Sequence, residues 1–396
     1  MFKNPLADLP REVNVLVGAG FFVAVGFGII VPAMPVFARS FGVSHAAIGL
    51  ILSAFAITRF TSGLITGKLV DIFGERTTFA VGVIIVSFTV LMAGLSQTYA
   101  QLLIFRAAGG FGSSMFTVAA SSVILSSVSD DKRAHAQSVY NGAFLLGAIA
   151  GPAIGGALAT ISLRAPFFTY SLTLFIAGTI GFFFLTSAHL QARKEKESSQ
   201  EVFRIRDALA IKAYRYVLVI SFVSTWILLG LRSSILPLFV TEKLGSSAAV
   251  VGYGFTLSAI FQGVLILRAG RVSDMRGRRF ALVLGSSLVL AGLFVMIFTV
   301  HIWMYLLSMS IIGLGGAFLS TTPASIVGDV IKGKGGQVIA LFQMAADAGM
   351  MVGPIIVGFI ADHYGYRSSF TFSTIVFMWG LILAIKLPET RKSHLG

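Results

Sequence analysis

Cysteine is absent from the 396 residues of this chain, and charged residues make up only 12% of them. The first absence excludes disulfide bonds, thiolate metal sites and cysteine nucleophiles. The second excludes an ordinary soluble surface, because about a quarter of the residues of a typical soluble domain are charged. Apolar residues take their place: 56% of the chain is hydrophobic and 35 residues are phenylalanine. This composition is typical of a membrane protein that crosses the bilayer many times.

Twelve apolar runs are long enough to cross a bilayer as helices, which takes about 20 residues each. They cover residues 13–37, 45–66, 78–96, 98–124, 138–162, 166–187, 216–240, 248–269, 280–299, 302–327, 338–361 and 368–387. The first run is longer than a signal-peptide core and no small-residue cleavage site follows it, which predicts an uncleaved span. The predicted fold class is an all-α integral membrane protein with twelve transmembrane helices.

Positive charge is distributed unevenly between the loops on the two sides. Of the 30 Lys and Arg residues, 23 lie in or beside one set of loops, which includes both termini, and four lie in the other set. Because loops rich in Lys and Arg stay in the cytoplasm, we predict cytoplasmic termini and a multi-pass protein of the cell (plasma or inner) membrane. This topology accounts for the net charge of +14, so nucleic-acid binding is not expected.

Two decapeptides in the basic loops share Gly, Asp, Gly and Arg at the same positions. GKLVDIFGER covers residues 67–76, and GRVSDMRGRR covers residues 270–279, 203 residues later. Three other features recur at an interval of 202 or 203 residues: Pro35 with Pro237, Gly110 and Gly112 with Gly313 and Gly315, and Gly147, Gly151 and Pro152 with Gly349, Gly353 and Pro354. A near-constant interval predicts a duplicated unit of six helices.

The duplication predicts two pseudo-symmetric bundles, residues 1–187 and residues 216–396, the second with a short cytoplasmic tail. Between them, residues 188–215 form a predicted cytoplasmic linker. This linker contains either a short helix on the membrane surface, with Val202, Ile205 and Leu209 on its apolar face, or a solvated segment of mixed charge. Paired bundles around a central site suit a transporter that alternates between two open states.

Over its full length the sequence resembles the major facilitator superfamily. The decapeptides are similar to the motif of that family in the loops between helices 2 and 3 and helices 8 and 9. LIFRAAGGFG (103–112) is similar to its helix 4 motif, with Arg106 at the arginine position, while GIIVPAMP (28–35) and GAIAGPAIGG (147–156) are similar to the helix 1 and helix 5 motifs of the drug:proton antiporter branches. The resemblance implies the fold of that family and names no substrate.

Two departures from the family pattern concern the decapeptides. The basic residue that usually follows the loop aspartate is Ile72 in one copy and Met275 in the other, and Glu75 stands where arginine is usual. We therefore expect a charge network in these loops that is thinner than in relatives.

Four charged residues lie well inside the predicted spans: Arg59, Arg106, Arg232 and Asp347. A charge at mid-membrane costs roughly 2.5 to 3.5 kcal/mol on insertion scales, so each should face a cavity or a partner. Asp347 is the only carboxylate in any predicted span, and Arg59 lies at a similar depth. The resemblance implies that helices 2 and 11 face each other, so we predict that Arg59 and Asp347 pair, either as a lock or as a proton carrier.

The other two arginines have alternative roles. The resemblance gives Arg106 a part in proton coupling or in organising the cavity, and the alternative is a structural arginine that satisfies carbonyl groups. Arg232 could bind an anionic group or extend toward the outer surface. The resemblance also assigns helices 1, 4, 7 and 10 to the cavity wall. We predict substrate contacts from Arg232 and Trp226 of helix 7 and from the neighbouring Tyr140, Asn141, Gln262 and Gln343.

Glycines recur in both predicted gates and packing segments. The predicted cytoplasmic gate residues are Gly67, Asp71, Gly74, Arg76, Gly270, Asp274, Gly277 and Arg279, and the resemblance implies that Asp71 satisfies N–H groups at the start of helix 11. The predicted helix-packing residues are Gly147, Gly151, Pro152, Gly155, Gly353 and Pro354, where small residues let helices approach closely and proline permits a bend.

These features predict a secondary active transporter, in the first place a proton-coupled exporter of drugs or small amphipathic metabolites by alternating access. A net intramembrane charge of +2 and a first helix without an acid favour neutral or anionic substrates. The alternatives are proton-coupled uptake of a sugar or organic anion, and a membrane sensor or enzyme without transport. The expected partners are a small-molecule substrate, protons and bilayer lipid, and the chain is expected to be a monomer.

An enzyme is not expected, because no pair of nucleophile and base is visible in the spans. Gly110-Phe111-Gly112 lies inside an apolar span with no preceding strand, which excludes a phosphate-binding loop. All six histidines lie at loops or helix ends. We therefore expect neither a metal site nor a cofactor.

Overall fold

A computed structural model describes residues 9–128, 133–185, 204–331 and 336–390. These residues form thirteen α-helices and two π-helical segments and contain no β-strand. The α-helices are α1 (Arg11–Arg39), α2 (His45–Thr61), α3 (Gly63–Leu95), α4 (Tyr99–Ser127), α5 (Arg133–Ile161), α6 (Ala165–Phe184), α7 (Ile205–Ala210), α8 (Lys212–Thr225), α9 (Arg232–Leu238), α10 (Ala248–Arg276), α11 (Arg278–Ile297), α12 (Ile302–Val330) and α13 (Gly336–Ile385).

Twelve spans are present in the described residues. Ten helical stretches are long and apolar enough to cross a membrane by length and composition, and His45–Thr61 is a shorter apolar helix. The longest stretch, Gln337–Ile385 with 49 residues, is interrupted at Gly365, where φ is 81°. It therefore supplies two spans. The all-α class with twelve spans is confirmed.

The first decapeptide lies within α3 and not in the open loop 67–77 that the sequence predicts. The predicted span 45–66 divides at Ser62, and α3 continues through residues 67–76 as far as Leu95. Helical geometry is broken only at Gly74, with φ 78° and ψ 163°. In the second copy Gly277 takes nearly the same conformation, φ 104° and ψ 155°, between α10 and α11. A Cβ atom is strained at such positive φ values, so both turns require glycine.

The seventh predicted span is helical from Lys212 to Lys243, but it is not a uniform α-helix. Two π-helical segments, Trp226–Leu231 and Phe239–Lys243, flank α9. Pro237 in α9 lacks the N–H group that an α-helix needs at that position. The wider π turns are frequent at functional sites and change which side chains share a face.

The described residues divide into two compact units. The first contains the residues up to Gly42 and those from Ala54 to 185, and the second contains Val43–Ser53 and the residues from 204 onward. In the first, α1 packs against α5 and α6, and α3 packs against α4 and α6. In the second, α12 packs against α10 and α11, and α8 packs against α13. Helix α2 therefore begins in the second unit and ends in the first.

Each unit contains the same backbone contact at an equivalent position. A Cβ atom at Gly112 would lie 2.6 Å from the carbonyl oxygen of Gly82, and a Cβ atom at Gly315 would lie 2.6 Å from the carbonyl oxygen of Gly285. No side chain fits between helices at these separations. Both residues of the second pair follow those of the first by 203 positions, so the predicted duplication is confirmed at the level of contacts.

The linker is described only in part. Helix α7, Ile205–Ala210, includes Ile205 and Leu209 of the predicted surface helix, while Val202 lies outside the described residues. The boundaries of the two bundles at 187 and 216 stay predictions.

Candidate functional site

Arg106 is enclosed by aromatic side chains of the first unit. It lies in α4 and is 5% exposed, and its guanidinium carbon is 4.4 Å from the centroid of the Phe55 ring in α2. Tyr170 of α6 is near enough to act on it electrostatically. Its Nε atom is buried without a hydrogen-bond partner among the described residues. A buried donor without a partner costs free energy. The Nε–H group of Arg106 is therefore available to donate a hydrogen bond to a further acceptor.

Arg232 contacts α10 in the second unit. One of its Nη atoms donates a hydrogen bond of 3.3 Å to the carbonyl oxygen of Phe255, and its guanidinium carbon lies 4.6 Å from the centroid of that residue's ring. The arginine also lines a small apolar crevice with Ile227 and Met309. It thus resembles Arg106 in stacking on a phenylalanine, and its binding of an anionic group stays a prediction.

Arg59 and Asp347 are both partly buried. Arg59 lies in the part of α2 that belongs to the first unit, and Asp347 lies in α13 of the second unit. The helix that carries Arg59 is in direct contact with α4, because a Cβ atom at Gly110 would lie 3.0 Å from the Arg59 amide nitrogen. The pairing of Arg59 with Asp347 stays a prediction.

The second decapeptide carries a charge network within the second unit. Arg278 Nη1 donates to the carboxylate of Asp274 at 2.5 Å, and its Nε donates to Asp329 Oδ2 at 3.0 Å. Thr390 donates to the same Asp329 oxygen at 3.1 Å. Asp274 is therefore paired with an arginine of its own loop region.

Glu389, in the last described segment of the chain, also belongs to this network. Its carboxylate accepts hydrogen bonds from the backbone amides of Arg278 at 2.8 Å and Arg279 at 3.1 Å. These amides belong to the first turn of α11, where N–H groups lack helical partners. A Cβ atom at Gly277 would overlap the same carboxylate. Gly277 is thus required for two reasons: its φ is positive, and a side chain there would displace the Glu389 carboxylate that caps α11.

The first decapeptide is bonded differently at equivalent positions. Glu75, which corresponds to Arg278, is 5% exposed and accepts a hydrogen bond of 3.0 Å from Ser122. Arg76 Nε donates to the Phe182 carbonyl oxygen at 2.7 Å, and Asp71 is exposed. Within the described part of the first unit, this copy lacks the ion pairs of the second. A network thinner than in relatives stays a prediction.

The helix-packing residues are in contact in both units. A Cβ atom at Gly28 of α1 would lie 2.9 Å from Gly151 Cα, 3.0 Å from Pro152 Cδ and 3.2 Å from the Gly147 carbonyl oxygen of α5. A Cβ atom at Gly230 would lie 3.3 Å from Pro354 Cδ and 3.5 Å from both Gly353 Cα and the Gly349 carbonyl oxygen of α13. The two sets correspond residue by residue at an interval of 202. Gly155 also meets the backbone of α1, at Ile29.

The polar residues predicted to contact substrate have different surroundings. Trp226 is 3% exposed, donates to the Ser373 hydroxyl at 3.3 Å and lies against Gly353, so it is held in the core of the second unit. Tyr140 packs its ring near Gly20 of α1. The amide side chains lie on three helices, with Asn141 and Gln343 exposed and Gln262 partly buried.

Sequence reasoning missed a polar cluster at the start of α2, which we call the His45 cluster: His45, Glu242, Asp362 and Tyr366. His45 Nδ1 lies 2.6 Å from Asp362 Oδ1, and Nε2 lies 2.7 Å from the Tyr366 hydroxyl and 3.4 Å from Glu242 Oε2. Asp362 also accepts the backbone amides of His45 at 2.8 Å and Ala46 at 2.9 Å. It therefore caps the N-terminus of α2. Among the described residues, no group of His, Asp and Glu is arranged to hold a metal ion.

Comparison with solved structures supports the architecture. A bacterial homologue of the human lysosomal transporter Spinster, in an inward-facing and unoccupied conformation, superposes with a TM-score of 0.80 at 15% identity, covering 96% of this chain and 97% of that chain. The human organic anion transporter MFSD10 (TETRAN) superposes with a TM-score of 0.68 at 18% identity, covering 94% of this chain and 99% of that one. At these identities the likeness concerns the fold alone.

Curated relatives align along nearly the whole chain. An uncharacterized MFS-type transporter of Methanocaldococcus jannaschii is 25% identical, with 93% of this chain and 96% of the relative covered. Multidrug resistance protein 1 of Bacillus subtilis is 26% identical, with 94% and 96% covered. Multidrug resistance protein MdtG of Proteus mirabilis is also 26% identical, with 94% and 95% covered.

The sequence profile of the Major Facilitator Superfamily matches residues 16–233 and again residues 218–396. The two matches divide the chain near the point at which its internal repeat begins again. With twelve helices, duplicated contacts and a profile match along its length, this chain belongs to the Major Facilitator Superfamily and is a membrane transporter, not an enzyme.

Proposed function

We propose that this transporter exports drugs or small amphipathic metabolites in exchange for protons by alternating access. The observation that carries the proposal is the contact of Gly28 with Gly147, Gly151 and Pro152. These residues belong to the helix 1 and helix 5 segments that resemble the drug:proton antiporter motifs. The multidrug resistance proteins of Bacillus subtilis and Proteus mirabilis, at 26% identity, give looser support.

Neutral or anionic amphipathic substrates fit the intramembrane charges. Helix α1 carries a single acid, Glu12 in its first turn, so no carboxylate lies along the membrane part of this helix to attract a cation. Arg106 and Arg232 instead present guanidinium groups stacked on phenylalanine rings. Such a pair of flat, partly desolvated cations favours anions and polarisable neutral molecules.

Coupling to protons would depend on Asp347, which lies in the first quarter of α13 and near the middle of the predicted span 338–361. In the proposed cycle it pairs with Arg59 in one state and takes a proton in another. Arg106 takes part in proton coupling or organises the cavity. Asp71 and Asp274 belong to the cytoplasmic gates, and both termini lie in the cytoplasm of a monomer in the cell membrane.

The test is transport by the purified protein in liposomes with an imposed proton gradient. A panel of fluorescent dyes that differ in charge is supplied outside, and accumulation is followed when the lumen is more acidic than the bath. Exchange for protons predicts uphill accumulation that collapses with an ionophore. Accumulation only when the bath is the more acidic side would instead support proton-coupled uptake, and no gradient-dependent movement of any dye would contradict the export proposal.

Asp347→Asn separates coupling from binding. The variant should lose proton-driven accumulation yet retain exchange of labelled for unlabelled dye, because exchange needs no net proton movement. Asp207→Asn is the matched control, since Asp207 is an exposed carboxylate of α7. Unchanged uphill transport by Asp347→Asn would remove this carboxylate from the coupling mechanism.

A further inference from the structure

A neutral imidazole has one N–H donor, but the His45 cluster places an acceptor beside each of the two ring nitrogens. Tyr366 donates its single hydroxyl proton to Glu242 Oε2, so its oxygen can meet His45 Nε2 only as an acceptor. On the other side of the ring, Asp362 Oδ1 lies 2.6 Å from Nδ1. The Asp362 carboxylate already accepts two backbone amides, as an ionised group does. Both ring nitrogens therefore face acceptors.

Only the imidazolium form supplies both N–H groups at once. A neutral ring has a single N–H, so either Asp362 or Tyr366 would lose its proton donor. Water offers little replacement for a lost donor, because the His45 side chain is only 10% exposed and the Asp362 side chain 18%.

We propose that His45 is a proton-binding site whose protonated form fixes the first turns of α2 to α13. A deprotonated ring has a single N–H and loses one of its two acceptors, so the attachment strengthens on acidification and weakens toward alkaline pH. This role of His45 is independent of the substrate that the protein moves and of the role of Asp347.

The titratable groups in contact with the His45 ring belong to two neighbouring elements. Asp362 and Tyr366 belong to α13, and Glu242 belongs to the π-helical segment Phe239–Lys243. Two other residues of α13 are turned to different partners: His363 Nδ1 lies 3.0 Å from the Phe359 carbonyl oxygen, and the Arg367 guanidinium lies 4.9 Å from the centroid of the Phe298 ring.

The cluster lies where α2 touches α13 through its backbone. A Cβ atom at Gly49 would overlap the carbonyl group of Pro354, and one at Gly358 would lie 2.5 Å from the His45 carbonyl oxygen. Protonation of His45 therefore controls whether the first two turns of α2 stay fixed to α13.

The absence of cysteine allows a direct distance measurement. Leu50→Cys and Tyr364→Cys place one cysteine each at exposed positions of α2 and α13, and a spin label is attached to each cysteine. Pulsed electron paramagnetic resonance then gives the distribution of distances between the two labels in lipid nanodiscs at pH 5.5 and pH 8.0. A control pair, Tyr253→Cys with Tyr364→Cys, joins α10 to α13 without α2. The short-distance population should dominate at the lower pH, and its ratio to longer distances should change by up to about tenfold per pH unit.

His45→Gln should remove this pH response, because glutamine keeps one donor and one acceptor but takes up no proton. His363→Gln is the matched control and should retain the response. The wild-type pH series stands by itself if His45→Gln does not fold. Equal distributions at both pH values in the wild-type pair, or a response that survives in His45→Gln, would overturn the proposal.

Discussion

The guanidinium of Arg106 lies 4.4 Å from the centroid of the Phe55 ring, and no described residue accepts a hydrogen bond from its Nε atom. The ring therefore supplies much of the local stabilisation of this buried charge. A stacked arginine that keeps a donor free can bind a polar group without first breaking a protein contact. This arrangement fits a role in organising the cavity better than a role in satisfying carbonyl groups.

Phe55→Leu should separate the stacking from simple packing. Leucine keeps the site apolar, while the loss of the cation–π contact should cost about 1 to 2 kcal/mol for a desolvated pair and lower the thermal midpoint in detergent. Arg106→Lys should lose transport even where folding is retained, because lysine cannot present a flat guanidinium. Normal transport by Arg106→Lys would contradict a role for that planar group.

Alanine at Gly151 or Gly353 tests the close contacts of α5 and α13. At Gly151 a Cβ atom would lie 2.6 Å from Gly28 Cα, whereas at Gly353 its nearest neighbour would be the Trp226 ring at 3.4 Å. Gly151→Ala should therefore destabilise by about 1 to 3 kcal/mol, as overpacking does, and Gly353→Ala by clearly less. Gly142→Ala is the control, because its Cβ atom would meet nothing within 4 Å and alanine favours a helix.

The four gate glycines should fall into two classes when replaced by alanine. Gly74 and Gly277 have positive φ, so alanine there should cost roughly 1 to 2 kcal/mol, and Gly277→Ala should cost more because it also displaces Glu389. Gly67 and Gly270 have open space around them and lie in helical segments, so alanine should be neutral or stabilising by up to about 1 kcal/mol. Thermal unfolding of the four variants measures this order, and equal losses at all four would refute it.

A double-mutant cycle tests the ion pair of the second decapeptide region. Arg278→Gln and Asp329→Asn should each destabilise, and their coupling should be about 1 to 2 kcal/mol, because the hydrogen bond of 3.0 Å joins two charged, largely buried side chains. Glu75→Gln in the first copy should have a smaller effect, since glutamine can still accept from Ser122. Coupling within error of zero would show that the pair adds nothing measurable.

The spans were predictable because each apolar run is about as long as a helix that crosses a bilayer. The duplication was predictable because its glycines recur at an interval of 202 or 203 residues. It was harder to predict that the helix breaks only at Gly74, since residues 67–73 continue a helix despite their polarity. The π-helical turns beside Arg232 leave no clear pattern in the sequence. The His45 cluster was missed because its members are up to 321 residues apart, and only tertiary packing brings an isolated histidine at a helix start to two acids and a tyrosine.

The contact of Gly112 with Gly82 and that of Gly315 with Gly285 have a consequence for how the two halves of the gene could diverge. Where side chains meet, as at Glu75 and Arg278, one copy could reverse its charge and recruit a different neighbour. Where backbones meet, any added atom must displace a helix, so both copies were held to the same residue. These close contacts between helices thus form a frame that the two halves share, and new specificities would be expected to arise from the polar positions between them.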